Sequence, residues 1–410
     1  MPKVFSVQFL LFISIFIAIV IVVANNSAQY SDPKTGPLTY LPNPQDGYGS
    51  GPNQLAQPDD VEILQDGSLV VTDVDNNRIQ LFSEDGKLMK SITAKSLDLE
   101  DTEILPTGIS SDGDGYVYVS LEGAGRVARF TPAMELDQFI GYSGKATPEN
   151  YYLPENDGLL MKPQGLIVSA RGDVYVVDMA KDVFDTEEKR NFGFRKFKKV
   201  ESDAGTEFVY DTEFTATQEI TTIMRKSEGL AISESRGLLF VAEEKPITAQ
   251  FGNSSKYRYV GVFTLETGAF TGRLLTVTME NDLIVDGYCD ESIEGLSVID
   301  NLLFTVAEKA GRVDCFDIDT GDRIAFFGVR APFYCDDESD CIIDGVNYNE
   351  QSIMAGTAQV HLLNDWEKNE LASPDGISVR ELKNGNQRLA VVDQWNSRIL
   401  LYDLKNVLGR

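Results

Sequence analysis

The sequence predicts an all-β fold made of repeated four-stranded sheets, and three observations support it. Short strands with alternating apolar and polar residues are separated by turn signals, as in the stretch from Thr72 to Ile92, TDVDNNRIQLFSEDGKLMKSI. The start of this stretch recurs near the C-terminus in VDQWNSRILLYD. Six segments place a small or acidic residue and then Gly or Val before an apolar strand. They are PDDVEIL at 58, PTGIS at 106, PQGLIV at 163, SEGLAIS at 227, IEGLSVI at 293 and PDGISV at 374.

Each of the six segments is followed by a second β-rich strand, so each marks one repeated unit. A single unit of this kind cannot bury both of its faces. Units that stack radially bury them against one another, and we therefore predict a six-bladed β-propeller of four-stranded blades. The units lengthen along the chain because of insertions, of which the largest run from Ala180 to Thr222 and from Gly328 to Ala372. Long insertions of this kind either lie at a binding face or are decoration.

The domain organisation follows from these units. Residues 57–410 form the predicted propeller, and residues 25–56 are rich in Asn, Pro, Gly and Ser and form a tether. The last unit supplies only three strands, which would leave an open edge. We therefore expect a segment near Thr35 to Leu41 to return, supply the fourth strand and close the ring.

The N-terminus predicts export. An apolar run from Val4 to Ala24 follows the single basic residue Lys3. As a helix this run would be about 31 Å long, enough to cross a bilayer core of about 30 Å. Residues 1–24 are thus a membrane anchor or a cleaved signal peptide, and the length favours the anchor. The positive-inside rule then places the propeller at the cell surface, whereas cleavage would make it secreted.

The charge balance restricts the partners. The chain has 64 acidic and 36 basic residues and a formal charge of −28. A nucleic-acid partner is excluded because a phosphate backbone needs a basic face. Cations or a cationic ligand fit this charge, and so does an ordinary acidic surface.

Four cysteines in an exported chain allow two disulfides in three possible pairings. Cys335 and Cys341 flank a short acidic loop, and Cys289 and Cys315 bracket one repeat. We therefore predict the pairs Cys335–Cys341 and Cys289–Cys315.

The first and sixth units resemble an NHL repeat. The residues that carry the likeness are the lead-in GPNQL, a Pro before the first strand, and Asp followed by the triplet NRI or SRI. The resemblance covers most of residues 50 to 405 and implies a six-bladed propeller. This fold serves enzymes, sensors and scaffolds alike, so function must be argued from the site.

The fourth to sixth units also resemble β-propeller phytases, in which carboxylates on the inner strands hold calcium at the mouth of the channel. In the first unit the matching residues are the acidic pair Asp59-Asp60, of which Asp60 precedes Val61 as other acids precede a glycine. This chain has DVDNN where that family carries lysines, which argues against a phosphate ligand. The resemblance implies Ca²⁺ ligands among Asp60, Glu228, Glu243, Glu294, Glu308 and Asp375.

Two functions remain open at this point. The first is a ligand- or protein-binding module, with or without calcium in its channel. The second is a calcium-dependent hydrolase of the phosphoesterase or lactonase type. His361 is the single histidine of the chain, which excludes a three-histidine zinc site and disfavours a Ser-His-Asp triad. If Asp60, Glu228, Glu294 and Asp375 converge, a metal is favoured, whereas carboxylates bonded into blade corners favour the binding module.

Overall fold

The fold consists of six four-stranded sheets in a computed structural model of the chain. Within each set of four the strands run antiparallel and in chain order from the inner strand outward, except that an N-terminal segment supplies the outermost strand of the last blade. The structure describes residues 29–30, 37–41, 48–99, 102–141, 158–179, 192–217, 227–242, 259–275, 278–280, 283–286, 293–308, 310–330, 341–343, 346–348 and 370–409.

The first three blades begin where the repeats are predicted, but the predicted insertion from Ala180 to Thr222 was wrong in extent, because it contains the third and fourth strands of blade 3. Blade 1 contains Pro58–Ile63, Leu69–Asp73, Arg78–Phe82 and Leu88–Thr93. Blade 2 contains Pro106–Ser111, Val117–Leu121, Arg126–Phe130 and Leu136–Ile140. Blade 3 contains Pro163–Val168, Val174–Met179, Phe192–Ser202 and Gly205–Tyr210.

The last three blades complete the ring. Blade 4 contains Leu230–Ser233, Leu238–Ala242, Tyr259–Thr264 and Phe270–Leu275. Blade 5 contains Ile293–Ile299, Leu302–Ala307, Arg312–Asp317 and Arg323–Phe327. Blade 6 contains Pro374–Glu381, Gln387–Asp393, Arg398–Asp403 and, as its outermost strand, Thr39–Leu41.

The N-terminal strand closes the last blade where the sequence analysis expects a strand. Thr39–Leu41 pairs antiparallel with Arg398–Asp403, and the Leu38 amide donates to the Leu401 carbonyl at 2.6 Å. Just before it, Gln29–Tyr30 adds a parallel fifth strand to the outer edge of blade 5. The segment before the propeller therefore binds two neighbouring blades.

In the described part of the chain, short elements lie between the strands or follow the last strand. The α-helices are Thr212–Thr217 and Leu404–Val407, and the 3₁₀ turns are Ala94–Leu97, Glu122–Ala124, Glu234–Arg236 and Gln394–Asn396. The short strand pairs are Thr278–Glu280 with Leu283–Asp286, Val329–Arg330 with Glu370–Leu371, and Cys341–Ile343 with Val346–Tyr348.

The hydrophobic core lies between adjacent blades. Val70 and Ile79 of blade 1 pack in one cluster with Val117 and Phe130 of blade 2, and all four are fully buried. A similar cluster joins blades 5 and 6. Valine, isoleucine and phenylalanine suit this arrangement because branched and aromatic side chains pack well on a pleated surface.

The strand directions place every long connection at one face. Strands alternate in direction, so the inner strands begin at the same face at which the second strands end. The connections that leave this face include those that follow Ile140, Met179, Ala242 and Phe327, and large parts of them lie outside the described residues. The turns at the opposite face are short. We call the face where the inner strands begin the mouth face.

Several predictions fall on residues that the structure does not describe. Residues 1–24, His361, Cys289 and Cys335 all lie outside the described ranges. Among the described residues, no helix is long and apolar enough to cross a membrane. No disulfide is seen in that part of the chain either, where Cys315 is buried in blade 5. The anchor and both disulfide pairings therefore stay predictions.

Candidate functional site: the acidic mouth of the channel

A cavity of about 250 Å³ lies on the axis of the propeller. Residues from the inner strands of all six blades line it, along most of the length of each strand. Central cavities with a few convergent polar groups are the usual location of ligand sites. The mouth of this cavity is therefore the candidate site.

A bulge recurs at the start of the inner strand in five of the six blades. In blade 1 Pro58 pairs with Asp73 and Val61 with Val71, so the inner strand carries one extra residue. The same shift in register occurs in blades 2, 3, 5 and 6. We take the residue directly after the first residue of each bulge, and in blade 4 the residue after Ser227. These six residues, one from each blade, are called the mouth ring. Its members are Asp59, Thr107, Gln164, Glu228, Glu294 and Asp375.

Glycine follows the ring residue in five blades because the blades approach too closely for a side chain. A Cβ on Gly229 would lie 1.9 Å from the Glu294 carbonyl oxygen, and one on Gly295 would lie 2.4 Å from that of Asp375. Such distances are far inside van der Waals contact, so this part of each inner strand must be glycine.

Asp60 occupies the glycine position of blade 1 and lines the cavity, and both of its carboxylate oxygens accept backbone amides. Its Oδ2 accepts the Ile109 amide of blade 2 at 2.9 Å, and its Oδ1 accepts the Val61 amide at 2.8 Å. Burial raises the pKa of Asp60 to about 7, although both amides oppose that shift. The equivalent of the other ring acids is Asp59.

Three predicted ligands do converge. Glu228, Glu294 and Asp375 each place one carboxylate oxygen within 4.8 Å of the others. Glu294 is buried, whereas Glu228 and Asp375 are half-buried. Burial raises the pKa of Asp375 well above its usual value, and the charges of Asp59, Glu294, Glu228 and Glu308 raise it further. A proton or a cation must therefore compensate this cluster.

A second row of residues lies just outside the ring, where the second strands end. Glu308 occupies this position in blade 5, and its Oε1 accepts the Ser373 hydroxyl at 2.8 Å. Gln394 occupies it in blade 6 and donates from Nε2 to Asp375 Oδ2 at 3.0 Å. Glu243 is the corresponding residue of blade 4 and lies outside the described residues. The sequence analysis did not identify Ser373 or Gln394, because neither residue type marks a metal site by itself.

The mouth ring is divided into an acidic and a neutral arc. Blades 4, 5, 6 and 1 contribute carboxylates, whereas blades 2 and 3 contribute Thr107 and Gln164. Thr107 donates its hydroxyl to the Pro163 carbonyl at 3.0 Å, and the Gln164 amide donates to Glu122. A ligand beside the acidic arc would therefore face the uncharged residues Gly108 and Gln164 on the other side of the cavity.

The arginine that lines the cavity lies at its far end. Arg380 Nη2 donates to Glu62 Oε1 at 2.6 Å and to Ser111 Oγ at 2.8 Å. Glu62 Oε2 also accepts the Ser378 hydroxyl at 2.9 Å, so this network joins blades 1, 2 and 6. The guanidinium is thus bound to its own carboxylate and does not neutralise the mouth ring.

Oxygen donors and excess negative charge fit a hard divalent cation. Two oxygens bound to one Ca²⁺ at about 2.4 Å can be at most about 4.8 Å apart, which agrees with the spacing of Glu228, Glu294 and Asp375. Three arginines that could have offset these acids are paired with other carboxylates. Arg78 binds Asp73, Arg398 binds Asp393 and Arg312 binds Asp314.

Comparisons with known proteins give no family. No family model matches the chain, and no curated protein matches it. The fold and the site define a six-bladed β-propeller with an acidic channel mouth. The NHL-repeat and phytase-like features therefore remain resemblances.

Some solved structures are similar in fold. A gluconolactonase from Xanthomonas campestris is 15% identical, with a TM-score of 0.46 over 85% of this chain and 87% of that chain. An inactive virginiamycin B lyase from Staphylococcus aureus with quinupristin is 13% identical, with a TM-score of 0.43 over 86% and 82%. A chain of a nidogen–laminin complex is 12% identical, with a TM-score of 0.41 over 67% and 81%. At TM-scores below 0.5 these similarities carry no argument about this site.

Proposed function

We propose that this protein binds Ca²⁺ at the acidic mouth of its channel and hydrolyses a neutral or cationic ester or lactone there. The observation that supports this proposal best is the convergence of Glu228, Glu294 and Asp375 at a cavity large enough for a small ligand. Groups with perturbed pKa values in such a cavity are typical of catalytic sites.

The metal would be held by Glu228, Glu294 and Asp375, with Asp59 and Glu308 close enough to act on Asp375 electrostatically. A bound Ca²⁺ supplies a Lewis acid that polarises a carbonyl oxygen. The chain's own residues orient the ligands and exclude other anions. Gln394 fixes one oxygen of Asp375, and Ser373 fixes one oxygen of Glu308.

The charge of the site restricts the substrate class. Five carboxylates, namely those of Asp59, Glu228, Glu294, Glu308 and Asp375, interact at the mouth. One divalent cation leaves this group negative, and Arg380 is bound to Glu62 at the other end of the cavity. Phosphoesters and other anionic substrates are therefore disfavoured relative to uncharged or amine-bearing ones.

The second candidate is a binding module in which the same ion is structural. It is favoured by the described cavity lining, which contains no paired nucleophile and histidine base. The long connections at the mouth face would then contact a protein or small-molecule partner.

We also propose that the protein works outside the cytoplasm, held at the cell surface by residues 1–24. Extracellular calcium concentrations suit a site built from few carboxylates. Protease digestion of intact cells that express the full chain should remove the propeller, and a membrane fraction should retain residues 1–24. Recovery of an intact propeller from protease-treated but unbroken cells contradicts this placement.

The metal proposal is tested by calcium titration of the full-length chain. At a hundred times the dissociation constant, Ca²⁺ should stabilise the folded state by about 2.7 kcal/mol. A chelator should therefore lower the melting temperature, and Glu228→Gln combined with Glu294→Gln should remove that sensitivity. Glu135→Gln, at an exposed turn of blade 2, is the matched control.

The hydrolase proposal needs a second measurement on the same protein. A panel of lactones and carboxylic esters should show calcium-dependent hydrolysis that the double variant lacks. Calcium binding without hydrolysis of any member would favour the binding module. An unchanged melting temperature with and without chelator, at low ionic strength, would contradict both metal proposals.

A further inference from the structure

We infer that Gln394 and Ser373 are positioning residues that orient Asp375 and Glu308 for the metal. This inference rests on the proposed calcium site. It extends that proposal to two residues of blade 6 that are not themselves ligands.

The two residues are held by a rigid corner between the second and third strands of blade 6. Asp393 is fully buried, and its Oδ2 accepts Arg398 Nε at 2.6 Å and Asn396 Nδ2 at 2.8 Å. Its Oδ1 accepts the Ala372 amide at 2.7 Å, which fixes the chain just before Ser373. The corner thus determines where both positioning residues lie.

Backbone hydrogen bonds join the two residues directly. The backbone N–H of Gln394 donates to the backbone carbonyl of Ser373 at 3.2 Å. Ser373 is 1% exposed and has a φ of +50°, a left-handed conformation that few residues adopt without support. The two side chains therefore extend from one structural unit. They bind two carboxylates on different blades, Asp375 of blade 6 and Glu308 of blade 5.

The corner itself does not require these side chains. Blade 1 builds the same corner from Asp73, Asn76 and Arg78, with equivalent hydrogen bonds to the side chain of Asp73. At the positions of Gln394 and Ser373 it carries Val74 and Gln57. The fold of the corner therefore does not explain why blade 6 has an amide and a hydroxyl that bind carboxylates.

The hydrogen bonds have a chemical consequence for a ligand. The side-chain amide of Gln394 donates to Oδ2 of Asp375, so Oδ1 would bind a cation without competition from this donor. Fixing the carboxylate before the metal arrives reduces the conformational entropy that is lost on binding. Outer contacts of this kind change metal affinity by about 10–100-fold.

The test substitutes Gln394→Met, which keeps the length of the side chain and removes the donor. The expected result is a dissociation constant for Ca²⁺ about 10-fold higher by calorimetry, with the melting temperature in chelator unchanged. Gln387→Met, on the second strand of the same blade, is the matched control and should bind Ca²⁺ as the unmodified protein does. Ser373→Ala should weaken binding in the same direction, since Glu308 loses its donor.

A spectroscopic measurement separates positioning from simple structural support. Terbium in place of calcium reports its bound water molecules through the decay of its luminescence. Gln394→Met should change that decay because Asp375 gains a second available oxygen, whereas Gln387→Met should not. The inference is overturned if affinity and decay are unchanged in both Gln394→Met and Ser373→Ala, or if both variants lower the melting temperature in chelator as much as they weaken binding. If the unmodified protein binds no calcium, the proposed site itself is wrong.

Discussion

The corners of blades 1 and 6 have the same hydrogen-bonded framework but differ in their contacts with the mouth ring. In both, a buried aspartate accepts an arginine, an asparagine and the backbone amide two residues before the inner strand. In blade 6 the residue after this aspartate is Gln394, which binds Asp375. In blade 1 it is Val74, whose side chain has no hydrogen-bonding group.

This difference shows how a repeat separates stability from function. The Asp, Asn and Arg of the motif satisfy the polar groups of the corner, and they serve every blade that carries them. The residue between them points toward the mouth ring and can vary without cost to the corner. Repeated sequence therefore marks the scaffold, and the departures from the repeat mark the site.

The largest effect should come from removing the corner aspartates. Asp73→Ala and Asp393→Ala each leave a buried arginine without its carboxylate, so each should lower the free energy of unfolding by about 3–5 kcal/mol. Chemical denaturation measures this loss. Only Asp393→Ala should also weaken calcium binding strongly, since its corner holds Gln394. Equal losses of calcium affinity in the two variants would show that the corners do not differ as described.

The next effect concerns the contact between neighbouring inner strands. Gly229→Ala places a methyl group against the Glu294 carbonyl, so blades 4 and 5 must separate. We expect a loss of about 1–3 kcal/mol in unfolding free energy and, because Glu228 and Glu294 move apart, a large loss of calcium affinity. Gly272→Ala is the control, because no atom lies within 4 Å of its added Cβ. A Gly229→Ala variant with full affinity would contradict the close-packed ring.

A smaller effect should appear in the pH dependence without metal. Burial raises the pKa of Asp60 to about 7 and that of Asp375 well above 3.8, and in the unfolded chain both would titrate near 3.8. Raised pKa values of acids contribute stability below about pH 4, and this contribution is lost as the pH rises toward 7. In chelator, the melting temperature should therefore fall as the pH rises from about 4 to about 7, by a few degrees for each kcal/mol of stability lost.

Two comparisons sharpen this pH prediction. Asp60→Asn should flatten the slope, since its side chain no longer titrates. Saturating calcium should oppose the slope, because the cation binds ionised carboxylates and its effect grows as the pH rises. If Asp60→Asn leaves the pH dependence unchanged, other groups cause it. The buried corner acids Asp73 and Asp393 also have raised pKa values.

The smallest effect is a transfer of function between the corners. Val74→Gln would give blade 1 the amide that blade 6 has, at the position next to Asp59. We expect unfolding free energy within about 0.5 kcal/mol of the unmodified protein and a modest gain in calcium affinity. Calorimetry with Val74→Met as the control would measure it. A loss of affinity would indicate that Asp59 is already fixed by other contacts.

The sequence alone determined the architecture. Six repeated inner-strand segments, their turn signals and a last unit that lacks one strand predicted six four-stranded blades and a returning N-terminal segment. These features are local in the chain, since strand alternation and turn residues depend on neighbours a few positions away. For the same reason three of the acids that converge, Glu228, Glu294 and Asp375, could be identified from their place before a glycine.

The tertiary structure decided which first-blade acid belongs to the ring. Counting back from Val61 selected Asp60, whereas the bulge in strand pairing aligns Val61 with Ile109 and places Asp59 in the ring. A bulge adds one residue to one strand only, so it appears in the pairing and not in the alternation of a single strand.

The contacts of Gln394 and Ser373 were also decided in three dimensions. Gln394 is 19 residues from Asp375, and Ser373 is 65 residues from Glu308. The residues of each pair come into contact because the end of one strand lies beside the start of another strand at the mouth face. The sequence specifies such contacts only through the packing of whole blades. The scaffold could therefore be predicted from the sequence, whereas the side chains that orient the site could not.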